Sequence, residues 1–316
     1  MVAKVCSDDD LIAAVLKYGP DRAATILGYS SKRQIYSRMN RIEERRGINL
    51  RTSPKSIKNG PSVAGAVIPI EVRNGTVLVG SDAHIWPGDL TTAQRAFLHF
   101  AKELKPAAII ANGDFFDGSS ISRFPSIGWE SKPSVQEELE AVQDYMHQLV
   151  QASKNSQRLW PAGNHDLRFE SRIAAQLPEL RDVKGVHLKD HFPAWAPCWR
   201  VDINGGSVVV KHRWKGGIHA THNNTLNSGV TLVTGHLHSL KVTPYTDYNG
   251  TRYGVDTGTL ADVNGEQFIH YTEAGPVNWR SGFVVLTFKD GELLLPELVQ
   301  KWDEDHVQFR GQIIEC

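Results

Sequence analysis

Short aliphatic runs that stop abruptly at polar clusters set the pattern of this chain. Residues 76–79, 107–110, 207–210 and 229–233 are β-branched or aliphatic and predict buried strands; the weaker run 157–160, ending against Pro161, predicts another. Residues 92–104 and 134–153 carry apolar positions at helical spacing, so strand and helix alternate through this part. From residue 241 onward strands dominate, and 241–246, 252–255, 282–288 and 292–295 predict a second sheet. The expected class is α/β. Residues 185–205, with Trp195, Pro197 and Trp199, are read as a packed crossover in preference to a substrate-facing cap.

The first fifty residues follow a different rhythm. Asp9 and Asp10 open the apolar run 11–16, and Tyr18-Gly19-Pro20 closes it. Asp21 caps a second segment over 22–27, Gly28 to Ser31 turns the chain, and Ser31 caps a longer helix from Lys32 to about Arg46. This predicts a small all-α domain of helix-turn-helix type over residues 1–50. Residues 51–61 are polar, basic and hold two prolines, so 51–70 is expected to be a linker and 71–316 the main domain. The run 63–72 is either a first edge strand or part of the tether.

Charge sharpens that division. The chain has 316 residues and no formal net charge. Residues 1–60 nevertheless hold 12 Lys plus Arg against 6 Asp plus Glu, and the remainder holds 23 against 29. A basic head on an acidic body is expected where the head meets nucleic acid, whose affinity comes largely from phosphate neutralisation. The 3 cysteines, Cys6, Cys198 and Cys316, have no paired spacing, which argues against a disulfide frame or a thiolate metal site. No apolar run reaches membrane-span length, and the acidic start is unlike a secretory signal, so a cytoplasmic protein is expected.

Candidate chemistry sits where the apolar runs end. Five clusters follow in order: Asp82-Ala83-His84, Gly113-Asp114-Phe115-Phe116-Asp117, Gly163-Asn164-His165-Asp166, His212, and Gly235-His236-Leu237-His238. Side chains leaving several strands at one sheet edge converge on one volume, the usual ligand position in open α/β sheets. Carboxylate, imidazole and amide donors without cysteine suit Mn, Fe, Zn or Ni. Two cations about 3.5 to 4 Å apart need a bridging carboxylate, and Asp114, on its glycine-preceded turn, is the candidate.

In this order the clusters resemble the calcineurin-like metallophosphoesterase family, whose signature is Asp-x-His, Gly-Asp-x-x-Asp, Gly-Asn-His-Asp/Glu, a lone His and Gly-His-x-His. The resemblance spans roughly residues 74–296. It implies a four-layer αββα sandwich and two divalent metal ions, Mn2+ first, with Fe, Zn or Ni as alternatives. One metal would be held by Asp82, His84, Asp114 and His238, the other by Asp114, Asn164, His212 and His236. It further implies in-line attack on phosphorus by a metal-bridging hydroxide, with His165 protonating the leaving oxygen and Asp117 orienting His165. Arg213 follows the lone histidine where the family often has glycine. Gly118 stands where the protein-phosphatase branch usually carries arginine, which points away from that branch. Arg168, Arg213, Arg123 and His222 are candidate substrate contacts.

The segment 23–30, followed by Ile35-Tyr36-Ser37-Arg38, resembles trihelical DNA-binding domains of the Fis and resolvase type. That resemblance places Lys32, Arg33, Gln34 and Ser37 near base edges or phosphates, and Arg38, Arg41 and Arg45 along the backbone. Such a head on a phosphoesterase is similar to proteins of phages and prophages. The reading is a two-metal phosphodiesterase or nuclease acting on DNA. A phosphomonoesterase or nucleotide phosphatase of the same fold is the first alternative, and a DNA-binding adaptor with an idle phosphoesterase domain is the second.

Overall fold

The computed structural model describes residues 6–18, 20–29, 31–46, 50, 67–273 and 275–316. The chain divides into two compact units, Met1–Pro61 and Ser62–Cys316.

In the first unit, Ser7 opens α1 (Asp8–Tyr18). Its hydroxyl accepts the Asp10 amide at 3.0 Å, and the Asp10 carboxylate accepts the Ser7 amide at 3.1 Å, a reciprocal cap. α2 (Pro20–Ile26) starts one residue ahead of the expected Asp21 cap, on a proline whose missing N–H costs nothing at the first helical position. α3 (Lys32–Arg46) follows. Leu11, Val15, Ala23, Ile35, Met39 and Ile42 are buried together and join the three helices.

That packing reassigns one expected nucleic-acid contact. Arg38 turns inward, donating to Asp8 Oδ1 at 2.9 Å, to the Tyr29 hydroxyl at 2.9 Å and to the Cys6 carbonyl at 2.6 Å. Arg45 pairs with Asp8 at 2.5 Å. The acidic first turn of α1 therefore neutralises part of the basic stripe on α3, a contact that helical periodicity does not reveal. Arg33, Gln34, Ser37 and Arg41 remain exposed. The side chain of Lys32 lies outside the described residues, as does the expected linker over 51–66.

The second unit is a mixed α/β sandwich. Among the described residues its strands are β1 (Val67–Ile70), β2 (Gly75–Gly80), β3 (Ala108–Ala111), β4 (Gln157–Pro161), β5 (Ala196–Cys198), β6 (Arg200–Ile203), β7 (Val208–Val210), β8 (Thr231–Thr234), β9 (Lys241–Asp247), β10 (Gly250–Asp256), β11 (Gly282–Lys289), β12 (Glu292–Leu293), β13 (Glu297–Lys301), β14 (His306–Phe309) and β15 (Gln312–Glu315). One sheet runs β1-β6-β7-β8-β10-β9. The other runs β15-β14-β13-β11-β2-β3-β4-β5, with β12 paired to β11. Val77, Val79, Ile110, Val284 and Leu286 of this sheet pack with Val201, Val210, Val233 and Val255 of the first. Its other face is covered by α4 (Thr92–Leu104) and α5 (Val135–Ala152), whose Phe97, Phe100, Val142 and Tyr145 form a second core with Leu78, Ile109 and Phe283. Thr91 and Ser134 start these helices with complete capping boxes. Among the described residues three shorter α-helices are added: α6 (Arg168–Gln176), α7 (Ala220–Ser228) and α8 (Glu266–Thr272).

Two expectations change. The strands expected over 282–288 and 292–295 do not build a second sheet with β9 and β10. β11 pairs antiparallel with β2, Val284 opposite Val79, and only residues 292–293 are strand, folded back on β11. Alternation identifies a strand but not its partner. Residues 67–70 leave the linker expected over 51–70: they form β1, an edge strand paired in parallel with β6, the first of the two readings of the run 63–72. The crossover over 185–205 carries the chain from β5 in one sheet to β6 in the other.

Candidate metal centre

β2, β3 and β4 run parallel in register, Val79 beside Ile110 and Ile110 beside Leu159, and each delivers its cluster at the same edge. β7 and β8 do the same in the other sheet and lead to His212 and to Gly235-His236-Leu237-His238. The turns there are unusual. Asp82, His84, Asp114, His236 and His238 all have positive φ, between 40° and 71°. Such conformations cost on the order of 1–3 kcal/mol each and persist only where surroundings over-determine them.

The surroundings do so here. The Asp82 amide donates to the Gly113 carbonyl at 2.9 Å and the His84 amide to the Asp114 carbonyl at 3.0 Å, locking the first two clusters together. Asp166, fully inside, accepts from the amides of Asp114 (2.9 Å), Phe115 (3.1 Å), Phe116 (3.1 Å) and Gly163 (2.8 Å) and from Trp160 Nε1 (3.0 Å). It ties the second cluster to the third. The glycines are set by proximity: a Cβ on Gly163 would overlap the Asp114 carboxylate, and one on Gly235 would overlap Ser81 and Asp82.

Asp82, His84 and His238 form one group of potential ligands, and Asp114, His212 and His236 another. Asp114 also groups with His84 and His165, so it stands between the two sets. His84 donates from Nδ1 to Asp117 Oδ1 at 3.1 Å, and His212 from Nδ1 to the Asn112 carbonyl at 2.8 Å. Each thereby presents Nε2 inward, buried and without a hydrogen-bond partner among the described residues. His212 Nε2 lies 3.1 Å from Asp114 Oδ2, and His238 Nε2 lies 3.1 Å from Asp82 Oδ1. The Nε2 atoms of His84 and His212, buried beside carboxylates and each oriented by the bond from Nδ1, are donors of the kind divalent cations require. The residues fit two such ions.

Electrostatics agree. Burial opposes ionising Asp82, yet His238 and His212 bring its pKa down to about 2. Asp114 is likewise held well below the carboxylate range against burial, chiefly by His212. Burial also opposes charging His212, but Asp114 and Asp82 raise its pKa to about 10.

Beside this set stands His165. Its amide donates to Asp114 Oδ1 at 2.7 Å and its Nδ1 to Asp117 Oδ1 at 2.6 Å. Burial lowers its pKa, but the bond to Asp117 and the Asp114 charge leave it raised. Arg168 donates to the Asp117 carbonyl at 3.0 Å and holds Nη2 3.2 Å from His165 Nε2. Asn164 and His236 line the same cavity of about 900 Å³. Arg213 is exposed, with Nη1 3.4 Å from Asn164 Oδ1. Two expected substrate contacts are not among the lining side chains. His222 packs edge-on to Tyr245, away from the cavity, whereas exposed Arg123 stands at the rim, outside the lining itself but packed over the Phe124 ring that lines it. Loop positions near a motif in sequence need not face it.

Sequence reasoning missed Trp86, which donates from Nε1 to Asp117 Oδ2 at 3.2 Å, and Glu138, a buried carboxylate that accepts the Gly118 amide. Trp86 lies two residues beyond His84 and carried a proximity signal. Glu138 sits on the buried face of α5 and carried none beyond being an acid at a core position.

The calcineurin-like phosphoesterase model matches residues 75–256, which contain every cluster above. The chain belongs to the calcineurin-like phosphoesterase family. Among solved structures this chain is similar to Vps29 of Entamoeba histolytica, solved with Zn2+, at 14% identity and a TM-score of 0.41, over 76% of this chain and 98% of that one. It is also similar to YfcE, a phosphoesterase from E. coli, at 13% identity and a TM-score of 0.32, over 70% and 97%. Among curated proteins none matches it in sequence. No helix among the described residues is long and apolar enough to cross a membrane.

Proposed function

We propose that this phosphoesterase is a two-metal phosphodiesterase that cuts DNA, with a helix-turn-helix head holding the substrate. The observation that carries the reading is the His165–Asp117 pair, which faces the cavity beside the shared carboxylate Asp114 at 2.6 Å from acid to orienting group. Bound divalent cations supply Lewis-acid charge and bring a water toward ionisation near neutral pH. Asp82, His84, Asp114 and His238 would hold one, and Asp114, Asn164, His212 and His236 the other. Asp117 keeps the proton on His165 Nδ1 and aims Nε2 into the cavity, where it delivers a proton to the departing oxygen. Arg168, beside Nε2, meets the phosphate oxygens as a planar donor.

DNA as substrate is supported by the exposed residues Arg33, Gln34, Ser37 and Arg41 on α3 and by the basic excess of residues 1–60. The test is Mn2+-dependent hydrolysis of bis-p-nitrophenyl phosphate, p-nitrophenyl phosphate and DNA by wild type, His165→Ala and an Arg33→Ala/Arg41→Ala double variant. Diester turnover that falls about 10²- to 10⁴-fold in His165→Ala, with DNA cleavage weakened and less salt-dependent in the double variant, upholds the reading. Turnover of the monoester alone makes the protein a phosphatase, and no turnover with any divalent metal makes it an adaptor.

A further inference from the structure

Phosphoester hydrolysis needs the polar floor of the cavity but not its walls, and the walls are aromatic. From the metal-ligand histidines a run of rings leads outward. Phe268 of α8 lies 5.1 Å from the His84 ring, and Trp279 lies 4.6 Å from His238 and 5.1 Å from Phe268. Tyr271 stacks on Trp279 at 6.1 Å and 16°. Exposure rises along the run, from buried Phe268 to Tyr271 at 74%. Another wall comes from the loop before α5, where Phe124 is 62% and Ile127 51% exposed. Exposed apolar groups gathered around a charged floor mark a binding site rather than ordinary surface.

The position of the exposed rings selects the occupant. An alkyl phosphate has nothing to cover them. The ring of a phosphotyrosine is bonded to the scissile oxygen and would stay on the floor against His165. A nucleobase stands one sugar away from its phosphate and presents a flat π-face, which suits rings placed beyond Phe268 at the rim.

We propose that Tyr271 and Trp279, with Phe124 lining the same cavity, clamp the base of the nucleotide next to the scissile phosphate, so that the DNA strand is unpaired where it is cut. This rests on the phosphodiesterase reading above. In a duplex the base faces are already covered by their neighbours, and exposing one costs unstacking and unpairing.

The test uses the full chain with Mn2+ and two substrate pairs: an oligonucleotide as single strand and as duplex, and a deoxydinucleotide diester with and without one base. Wild type is expected to cut the single strand preferentially and to show a KM about tenfold or more higher for the diester lacking the base. Tyr271→Ala is expected to lose most of that base dependence, and Tyr271→Phe to keep it. Independently of turnover, deoxyadenosine monophosphate is expected to quench tryptophan fluorescence in wild type and more weakly in Tyr271→Ala. Equal cutting of single strand and duplex, base dependence that survives Tyr271→Ala, or preference for a phosphotyrosyl peptide overturns the clamp. Failure of the phosphodiesterase reading looks different: bis-p-nitrophenyl phosphate is not hydrolysed, while the nucleotide quench still reports on the clamp.

Discussion

Asp117 Oδ1 stands 2.6 Å from Nδ1 of His165 and 3.1 Å from Nδ1 of His84, so one carboxylate orients both the proposed acid and a proposed metal ligand. Burial opposes its ionisation, yet the two imidazoles hold it far below the usual carboxylate range. Asp117→Asn keeps the shape and removes the charge. Mn2+ affinity is expected to fall about 10- to 100-fold, and diester turnover at saturating metal about 10²-fold or more. His165→Ala is expected to lower turnover while leaving metal affinity nearly unchanged. Calorimetric titration with Mn2+ beside steady-state kinetics separates the two; equal metal affinity in Asp117→Asn contradicts the shared role.

Asp166 gathers five donors, three of them on Oδ2. Asp166→Asn sets an NH2 group against at least two N–H donors wherever the amide is turned. Each buried donor left unsatisfied costs about 1–3 kcal/mol. A loss of about 2–6 kcal/mol is therefore expected, read as a fall in Tm of several degrees by calorimetry. A variant as stable as wild type removes Asp166 as the tie between the Asp114 and Asn164 turns.

Metal binding is expected to strengthen with pH. In the absence of cations Asp114 and Asp82 keep His212 charged up to a pKa of about 10, whereas ligation needs the neutral ring. Binding therefore expels a proton throughout the neutral range. Apparent Mn2+ affinity should rise with pH between 6 and 9, by up to about tenfold per unit for each proton released. Titrations in buffers of different ionisation enthalpy count that proton, and a pH-independent affinity contradicts the assignment of His212.

Glu138 is expected to make stability fall as pH rises. Burial, with the nearby Asp117 charge, raises its pKa from 4.5 to about 8. Between those values the folded protein keeps a proton that the unfolded chain releases, so each rise in pH favours unfolding. Glu138→Gln stays neutral and lacks this slope. The stability of the variant relative to wild type should grow from pH 5 to pH 8.5, by at most a few kcal/mol. Urea unfolding across that range measures it, and parallel curves mean that Glu138 is ionised in the fold.

The sequence by itself determined the strands 76–79, 107–110, 157–160 and 207–210, the helices over 92–104 and 134–153, and the donor clusters at the strand ends, because alternation, capping and glycine turns are local properties. Tertiary structure alone decided what those elements meet. Strand pairing sent 282–288 to β2 instead of to the other sheet, and the acidic start of α1 drew Arg38 inward. Loop paths left His222 outside the cavity while bringing Trp86 to Asp117 and Phe268, Trp279 and Tyr271 to its wall. Local pattern specifies which face of an element is apolar, whereas pairing, charge neutralisation and convergence depend on residues brought together from tens to hundreds of positions apart.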